Sequence, residues 1–308
     1  MSRPGWRPSI KGGPLGRTAK VGIGFYLNKH VLLLLATAIL WSLGGVLIKS
    51  IDWTPVAIAG SRSLIAALAI SLVMPGVIQK ISWRSIPGAV AYAATVILFV
   101  VATKLTTAAN AIFLQYTAPI YIAMIGPWFL RESTKWQDWL LILLALAGVA
   151  LFFLDQLSLQ GLSGIVAALG SGFSYAWLAI LMRQQRAGSP EAVVLLGNVF
   201  TLLFALPWMF PVMKIEQNGP WLLLLGIVQL TIPYLIYSVA IRHVRALDAS
   251  IISIIEPILN PIWVMLVTHE RPSFWSIVGG ATVLATSLTR SLIASPNGPQ
   301  TGNDAPNG

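Results

Sequence analysis

The amino-acid sequence predicts an all-α membrane protein with ten transmembrane helices, arranged as two inverted five-helix repeats around a central cavity. Three observations predict this fold: the composition, the number of long apolar segments and an internal repeat. Hydrophobic residues make up 56% of the 308 residues and charged residues 10%, whereas soluble domains carry about 25% charged residues. Because so few charges could not cover a soluble surface, the composition indicates a polytopic membrane protein.

Ten apolar segments are long enough to cross a bilayer as helices, for which roughly 17–25 residues are needed. The connections between them are short and contain Pro, Gly and charged residues. They are too short to hold a nucleotide-binding domain, which excludes an ATP-driven pump. The predicted spans are residues 31–49, 54–74, 86–103, 107–130, 138–154, 161–182, 191–212, 220–241, 247–267 and 273–292.

Four regions follow from these spans. A basic segment rich in Gly and Pro precedes two five-helix repeats, and a tail rich in Pro, Gly and Asn, which we expect to be disordered, follows them. The first apolar run is longer than the core of a signal peptide and no small-residue cleavage site follows it, so we expect no cleaved signal peptide. The regions are the cytoplasmic N-terminal segment 1–30, the first repeat 31–154, the second repeat 161–292 and the tail 293–308.

The positions of Lys and Arg predict the orientation, because cytoplasmic loops carry an excess of both. With the N-terminus inside, fifteen of the twenty Lys and Arg residues lie on the cytoplasmic side and four lie outside. We therefore expect a multi-pass protein of the bacterial inner membrane with both termini in the cytoplasm. This distribution also explains the net charge of +10: the basic residues face the lipid bilayer, and no nucleic-acid partner is expected.

The internal repeat emerges when the sequence is shifted by 138 residues. Gly88 then overlays Gly226 and Pro119 overlays Pro257, without a gap. Each half holds five spans, and an odd number places the two copies in opposite orientations in the membrane. Inverted repeats are typical of secondary transporters, in which two similar halves give two similar states, each open to one side.

Two charged residues lie well inside predicted spans. Upstream the offset is 135 residues, so Arg62 overlays Gly197, whereas Glu256 overlays Ala118 at 138; both charges therefore break the repeat. Intramembrane charges face the protein interior or a wet cavity and are commonly functional. Glu256 is a candidate proton carrier or a binding group for a substrate amine, and Arg62 is a candidate partner for a substrate carboxylate. The alternatives are an Arg62–Glu256 pair, hydroxyl and carbonyl partners that hold the helices in register or, for Arg62, a side chain that reaches the membrane surface.

Prolines near the acid indicate breaks in the helices. Pro257 and Pro261 flank Asn260, and each proline removes a backbone donor and frees a carbonyl about four residues earlier. Pro119 adds a break in the fourth span. Freed carbonyls line a cavity or find partners on neighbouring helices. A helix break beside a binding or gating site is therefore one interpretation, and a kink for packing alone is the other.

Aromatic residues within the spans are candidates for the wall of the cavity. Trp41 and Tyr175 occupy matching positions in the first span of each repeat, where their rings would suit a ring-bearing or cationic substrate. For any one aromatic, a place in the core or against lipid is the alternative. The other candidates are Tyr92, Tyr116, Trp177, Tyr234 and Tyr237.

Short motifs make residues 31–292 resemble the EamA type of the drug/metabolite transporter superfamily. These motifs are Thr54-Pro55 followed by Arg62, then Glu256-Pro257, His269-Glu270 and Gly279-Gly280. The first half departs from the pattern, since Ala118 stands opposite Glu256 and Ile142 opposite Gly280. The resemblance implies a basket-like helical bundle in the inner membrane that exports or exchanges small metabolites; one branch of the superfamily exports amino acids.

We therefore expect a secondary transporter, not an enzyme, that exports small organic solutes such as amino acids or amphiphilic cations by alternating access. Proton coupling through Glu256 is left open. The expected transporter is a monomer or weak homodimer without a cofactor or metal, because the sequence has no cysteine, three histidines near span ends and no HExxH motif. The alternatives are an uncoupled facilitator or exchanger of the same architecture, a channel, and a membrane enzyme acting on lipid.

Overall fold

The computed structural model describes residues 28–106, 108–152, 154, 161–210, 214–259 and 274–293, and all regular structure within these ranges is helical. Short 3₁₀ helices cover Pro75–Lys80 and Leu206–Trp208, and a π-helix covers Leu225–Thr231. The α-helices are α1 (Lys29–Trp41), α2 (Gly44–Lys49), α3 (Pro55–Val73), α4 (Ser85–Leu105), α5 (Ala108–Gln115), α6 (Ala118–Leu130), α7 (Trp136–Phe152), α8 (Leu162–Gln184), α9 (Pro190–Ala205), α10 (Ile215–Leu224), α11 (Ile232–Ala240), α12 (Ala246–Ser253) and α13 (Phe274–Ile293).

The protein is a multi-pass membrane protein. Within the described ranges, seven helical stretches are long and apolar enough to cross a bilayer: Lys29–Lys49, Pro55–Val73, Ser85–Leu105, Asn110–Leu130, Leu162–Gln184, Pro190–Trp208 and Ile215–Ala240. Two shorter apolar helices, Trp136–Phe152 and Ile277–Ile293, accompany them. Of the ninth predicted span, 247–267, the structure describes residues up to 259.

Local sequence sets the ends of several helices. At the start of α3, the Thr54 hydroxyl accepts a hydrogen bond from the amide of Ala57 at 3.4 Å, and Pro55 occupies the first turn, where its missing N–H has no helical partner. Arg131 ends α6 in the left-handed region, with φ of 55°. The next helix, α7, begins where the Asp138 carboxylate accepts from the amide of Lys135 at 2.9 Å. These caps fix two of the connections between spans.

Two predicted spans are interrupted at equivalent positions of the repeat. In the fourth span, α5 ends at Gln115 and α6 begins at Ala118; in the ninth, α12 ends at Ser253 and helical backbone resumes at Glu256. The two interruptions are 138 residues apart, which is the offset seen in the sequence. A proline follows each one in the first turn of the new helix, a position that proline tolerates well.

The helices of the two halves pack across each other. The first span of each half lies against the third span of the other: α1 contacts α11, and α8 contacts α4. Helices α3 and α9 contact each other, as do α7 and α13. Because each half packs its first helix against a helix of the other half, the centre of the bundle is formed by residues of both halves.

Large apolar side chains cover the outside of the bundle. In a soluble protein, contiguous apolar surface of this kind would be a liability, whereas in a bilayer it matches the acyl chains. Side chains more than half exposed include those of Leu68, Leu72, Trp128, Leu143, Val166 and Leu288.

Candidate functional site

A narrow cavity of about 40 Å³ lies between the two halves. Polar and aromatic side chains from both halves meet in it. It is lined by Trp41, Arg62, Thr95, Val96, Phe99, Gln115, Tyr116, Tyr175, Gln229, Leu230, Tyr234 and Glu256.

Arg62 enters the cavity from the middle of α3. Its side chain is 1% exposed, so it does not reach the membrane surface, and the interpretation that it does is wrong. Nη1 donates to Oε1 of Gln229 at 3.0 Å and Nη2 donates to the carbonyl of Val96 at 3.3 Å. Both acceptors are neutral groups, so the guanidinium keeps its positive charge uncompensated.

Glu256 enters the cavity from the break in the ninth predicted span. Its Oε2 lies 2.6 Å from the hydroxyl of Tyr116, and that hydroxyl lies 2.8 Å from the carbonyl of Ser253. No N–O distance of 4.0 Å or less joins this carboxyl group to Arg62, so the two form no ion pair. The interpretation of a structural Arg62–Glu256 pair is therefore wrong. The cavity instead holds one cationic and one acidic side chain, which remain separate.

Aromatic rings form one wall. The ring of Trp41 lies 6.0 Å from that of Tyr175, edge-on, and 5.0 Å from that of Tyr234. Tyr237 lies 5.5 Å from Trp41, and Tyr92 lies 4.7 Å from Tyr234. These last two rings stand behind the lining and hold it in place; Tyr92 also has a hydrogen bond of 3.0 Å to the Asn198 amide.

Three buried donors in the cavity have no hydrogen-bond partner among the described residues. They are the indole Nε1 of Trp41, Nε of Arg62 and the hydroxyl of Tyr175. A buried polar group without a partner costs about 1–3 kcal/mol, and such groups in a cavity commonly await water or a ligand. Each of them is able to donate to an acceptor in the cavity.

Not every aromatic predicted for the cavity lines it. Trp177 packs edge-on against Phe129 at 4.9 Å and against Phe173 at 6.4 Å, away from the lining residues. The reason is helical geometry: Trp177 follows Tyr175 by two residues, and residues two apart do not share a face of a helix.

The predicted helix-break residues differ in what the structure describes. Pro119 and Pro257 are buried, each directly after an interruption. Asn260 and Pro261 lie outside the described residues, as do His269 and Glu270.

Sequence reasoning missed the uncharged polar residues of the cavity. Gln229 binds Arg62, and the Gln115 amide donates to the Ser171 hydroxyl at 2.8 Å. A signal was present for Gln229, because it overlays Ala91 at the offset of 138. An amide opposite an alanine breaks the repeat in the same way as Glu256 opposite Ala118.

Buried ion pairs join the helices at one end of the bundle. Nη1 of Arg290 lies 2.8 Å from Oδ1 of Asp138, and Arg290 also contacts Asp248. Asp138 has a second partner in Arg245, at 3.2 Å. The side chains of Arg290 and Asp138 are 3% and 2% exposed, so water and salt screen this pair little. The cluster ties α7, α12 and α13 together.

Two further acids extend this cluster. Glu132 lies 2.8 Å from Nε of Arg183, and Glu191 contacts Arg242 and lies 3.6 Å from Nζ of Lys80. All basic members belong to the group that the sequence predicts on the cytoplasmic side. We call this set the ion-paired end; it consists of Lys80, Glu132, Asp138, Arg183, Glu191, Arg242, Arg245, Asp248 and Arg290.

The opposite end has a more exposed pair. Nζ of Lys214 lies 2.8 Å from Oδ2 of Asp52, with side chains 53% and 79% exposed. The hydrogen bond from Lys214 lowers the pKa of the Asp52 carboxyl and raises the pKa of the Lys214 amine. Lys104 donates to the carbonyl of Ile51 at 2.6 Å. Exposed pairs of this kind contribute little to stability. Ion pairs therefore stabilise this end of the bundle less than they stabilise the ion-paired end.

An apolar helical bundle that encloses a polar cavity between two interlocking halves defines the class of the protein as a multi-pass membrane transporter. The family model of the EamA-like transporter family matches residues 28–154 and matches again over residues 162–290. The chain therefore belongs to the EamA-like transporter family.

Individual relatives are distant. Two proteins of Archaeoglobus fulgidus, each described as an uncharacterized transporter, are 26% and 24% identical; they align with 63% and 60% of this chain over 71% and 67% of their own lengths. The uncharacterized transporter YxxF of Bacillus subtilis is 24% identical over 58% of this chain and 60% of its own length. A protein of known crystal structure superposes with a TM-score of 0.73 at 16% identity, covering 86% of this chain and 97% of its own, and so shares the fold.

Proposed function

We propose that the protein is a secondary transporter that exports small organic solutes, amino acids or amphiphilic cations, through the cavity between its halves. The observation that carries this proposal is the pair of opposite charges, Arg62 and Glu256, that line one cavity without pairing with each other. A buried charge without a counter-charge is costly. A solute that brings its own charges into the cavity offsets that cost, which favours a zwitterionic or charged organic molecule.

The donors and acceptors divide the cavity into two binding regions. The free Nε groups of Arg62 and Trp41 are donors and suit a carboxylate. Glu256, beside the aromatic wall of Trp41, Tyr175 and Tyr234, suits an ammonium group, since cations are attracted both to a carboxylate and to ring faces. This arrangement supports an amino acid and also an amphiphilic cation, which would use the second region alone.

Proton coupling through Glu256 is part of the proposal. The single hydroxyl proton of Tyr116 faces two acceptors, Glu256 and the carbonyl of Ser253. When Glu256 is ionised, Tyr116 can donate to only one of them. When Glu256 is protonated, it donates to the Tyr116 oxygen, and Tyr116 donates to Ser253. The triad therefore changes its hydrogen bonds with one proton at the interruption of the ninth predicted span.

Alternating access follows from the proposed architecture of ten spans in two inverted repeats, 31–154 and 161–292. The double match of the family model, the two interruptions 138 residues apart and the exchange of packing partners between the halves support it. We propose that the ion-paired end is the cytoplasmic side, closed in this structure by the buried pairs around Arg290. The protein then lies in a bacterial inner membrane with both termini in the cytoplasm, as a monomer or weak homodimer.

The test is counterflow in proteoliposomes, with a panel of labelled amino acids and lipophilic cations and with and without an imposed pH gradient. A transported solute should exchange in the wild-type protein, and an inward or outward proton gradient should change its net flux. Glu256→Gln should retain counterflow and lose the response to the gradient, because the glutamine keeps the shape and cannot carry the proton.

Two results would change the proposal. A wild-type flux that ignores the pH gradient would favour the uncoupled facilitator or exchanger. A normal gradient response in Glu256→Gln would remove Glu256 from the coupling mechanism. Trp177→Phe is a control for substitution outside the cavity, because Trp177 does not line it. This variant should transport as the wild type does.

A further inference from the structure

A second, larger groove lies at the ion-paired end, away from the cavity between the halves. It has a volume of about 620 Å³ between the 3₁₀ segment after α3 and the connection from α8 to α9. The groove is lined by Lys80, Ser82, Trp83, Arg84, Pro87, Leu181, Gln184, Gln185, Ala187, Gly188 and Ser189. Nothing in the proposed transport cycle uses it.

The depth of the groove is set by the ends of four spans. Pro55–Val73 ends and Ser85–Leu105 begins on one side of it, while Leu162–Gln184 ends and Pro190–Trp208 begins on the other. The two connections are joined by a hydrogen bond from the Gln185 amide to the carbonyl of Arg84. Since all four ends meet here, the groove lies at the boundary between acyl chains and lipid headgroups.

The charge of the groove is positive. Lys80 and Arg84 line it, and among the described residues that line it none is acidic. Glu191, which pairs with Lys80, is 7% exposed and is also held by Arg242, while the Lys80 side chain remains 57% exposed. Lys80 can therefore bind an anion in the groove without leaving Glu191 unpaired.

Apolar and aromatic groups flank the charges. The Trp83 ring is 74% exposed, and the Arg84 guanidinium lies 5.6 Å from its centroid. Ile78, Ile81 and Ile86, which lie within five residues of Trp83 along the chain, are also exposed. Trp is enriched at membrane interfaces, and basic pockets between transmembrane helices bind anionic lipid headgroups. A site with cations at headgroup depth and apolar groups alongside fits both parts of one phospholipid.

We propose that this groove binds the phosphate headgroup of an anionic phospholipid, with Lys80 and Arg84 on the phosphate and Trp83 with its neighbouring isoleucines on the acyl chains. The inference depends on the position and charge of the groove. It does not depend on which solute the cavity carries.

The test uses the purified full-length protein in nanodiscs of phosphatidylcholine with increasing phosphatidylglycerol. Bound lipid is counted by native mass spectrometry, and thermal unfolding is followed in parallel. The variant is Lys80→Gln with Arg84→Gln. The matched control is Lys49→Gln with Lys214→Gln, which removes the same two charges at the opposite end. A Lys or Arg near the membrane surface contributes about fivefold to the binding of anionic lipid, so the groove variant should lose about thirtyfold in preference for phosphatidylglycerol while the control keeps it.

Three outcomes would overturn the proposal: no preference of the wild type for phosphatidylglycerol, an equal loss in both double variants, or stabilisation by inorganic phosphate alone that matches the lipid. If the groove variant does not fold, Ser82→Cys gives a second measurement, because the chain has no other cysteine. Phosphatidylglycerol should slow the reaction of this cysteine with a soluble maleimide, relative to phosphatidylcholine. An equal rate in both lipids would contradict the site.

Discussion

The hydroxyl of Tyr116 lies 2.6 Å from Oε2 of Glu256 and thereby joins the interruption of the fourth predicted span to that of the ninth. The two residues come from different halves. Tyr116 directly follows α5, and Glu256 is where helical backbone resumes after the interruption that follows α12. The contact therefore couples these two interruptions. A change at Glu256 reaches the first half of the protein through one hydrogen bond.

Tyr116→Phe should weaken the response of transport to a pH gradient. The substitution removes the hydroxyl that connects Glu256 to the Ser253 carbonyl and leaves both buried groups short of a partner, at a cost of about 1–3 kcal/mol. We expect gradient-driven flux to fall about tenfold in proteoliposomes while counterflow continues. Tyr121→Phe makes the same chemical change at a ring that packs on Phe173, so it should leave flux unchanged. Equal effects of the two substitutions would contradict a specific role for Tyr116.

Arg62→Lys should impair substrate binding although it keeps the charge. The guanidinium spans Gln229 and the carbonyl of Val96 with two different nitrogens, whereas a lysine amine is a single point and cannot hold both. We expect the KM for a carboxylate-bearing solute to rise at least about tenfold, with a smaller change in kcat, in flux assays over a range of concentrations. Arg186→Lys, at an exposed position, is the control. An unchanged KM would mean that Arg62 is structural only.

Asp138→Asn should strongly destabilise the protein, because it leaves Arg245 and the 3%-exposed Arg290 without this counter-charge. Breaking a buried pair by removing one partner costs about 3–5 kcal/mol. Asp52→Asn removes an exposed carboxylate from the Lys214 pair and is the comparison. Thermal unfolding in detergent should show a fall of several degrees for the first variant. Similar unfolding temperatures would contradict the burial of the Asp138 cluster.

The Asp52–Lys214 pair also predicts a pH dependence with a known sign. Because the folded-state pKa of Asp52 is lowered by Lys214, the pair stabilises the folded state above the unfolded-state pKa, and this contribution is lost as the pH falls through the folded-state pKa. The raised pKa of Lys214 acts at the other extreme, so that its contribution is lost at alkaline pH. Since both groups are exposed, Asp52→Asn should leave unfolding near neutral pH almost unchanged. A large effect there would contradict this description of the pair.

The ion-paired end should also control access to the cavity. Thr95 lines the cavity at 2% exposure, and Thr95→Cys introduces the only thiol in the chain. Adding Arg290→Gln to this variant should open the ion-paired end. We expect faster labelling by a membrane-impermeant maleimide applied from that side, measured in right-side-out and inside-out vesicles. Faster labelling from the other side would mean that these pairs do not close a gate.

Much of the fold and part of the site could be predicted from the sequence, because lipid imposes strong rules. Long apolar segments must form helices, and a charge within one must face the interior. Arg62 and Glu256 do line one cavity, and interruptions do occur beside Pro119 and Pro257. In these cases the residue type alone, a charge in an apolar segment or a proline, identified the position of a cavity residue or of an interruption.

The rotation of each helix could not be predicted. A helix that is apolar all round has no polar face to orient it, so Tyr175 and Trp177 looked equivalent although only Tyr175 lines the cavity. The hydrogen-bond partner of a buried charge could not be predicted either, since Gln229 lies 167 residues from Arg62 along the chain. Both facts depend on packing between distant helices, which one sequence does not specify.

Packing of the last helix gives a final prediction, at the paired glycines Gly279 and Gly280. A Cβ at Gly279 would lie 2.5 Å from the carbonyl oxygen of Gly148 and would also clash with the backbone nitrogen of Phe152, whereas a Cβ at Gly280 would have no neighbour closer than 3.5 Å. Backbone cannot give way as a flexible side chain does, so Gly279→Ala must separate α7 from α13. Overpacking usually costs 1–3 kcal/mol, and we expect a cost near or above the upper limit.

Gly280→Ala is a matched control because it adds the same methyl group one residue away. The unfolding temperature of Gly279→Ala should fall by at least about 5 °C in detergent, while that of Gly280→Ala should stay within about 2 °C of the wild type. Since α13 also carries Arg290, its separation should weaken the ion-paired end and increase the reactivity of Thr95→Cys. If both alanine variants unfold at the same temperature, α7 and α13 do not pack at Gly279 as described.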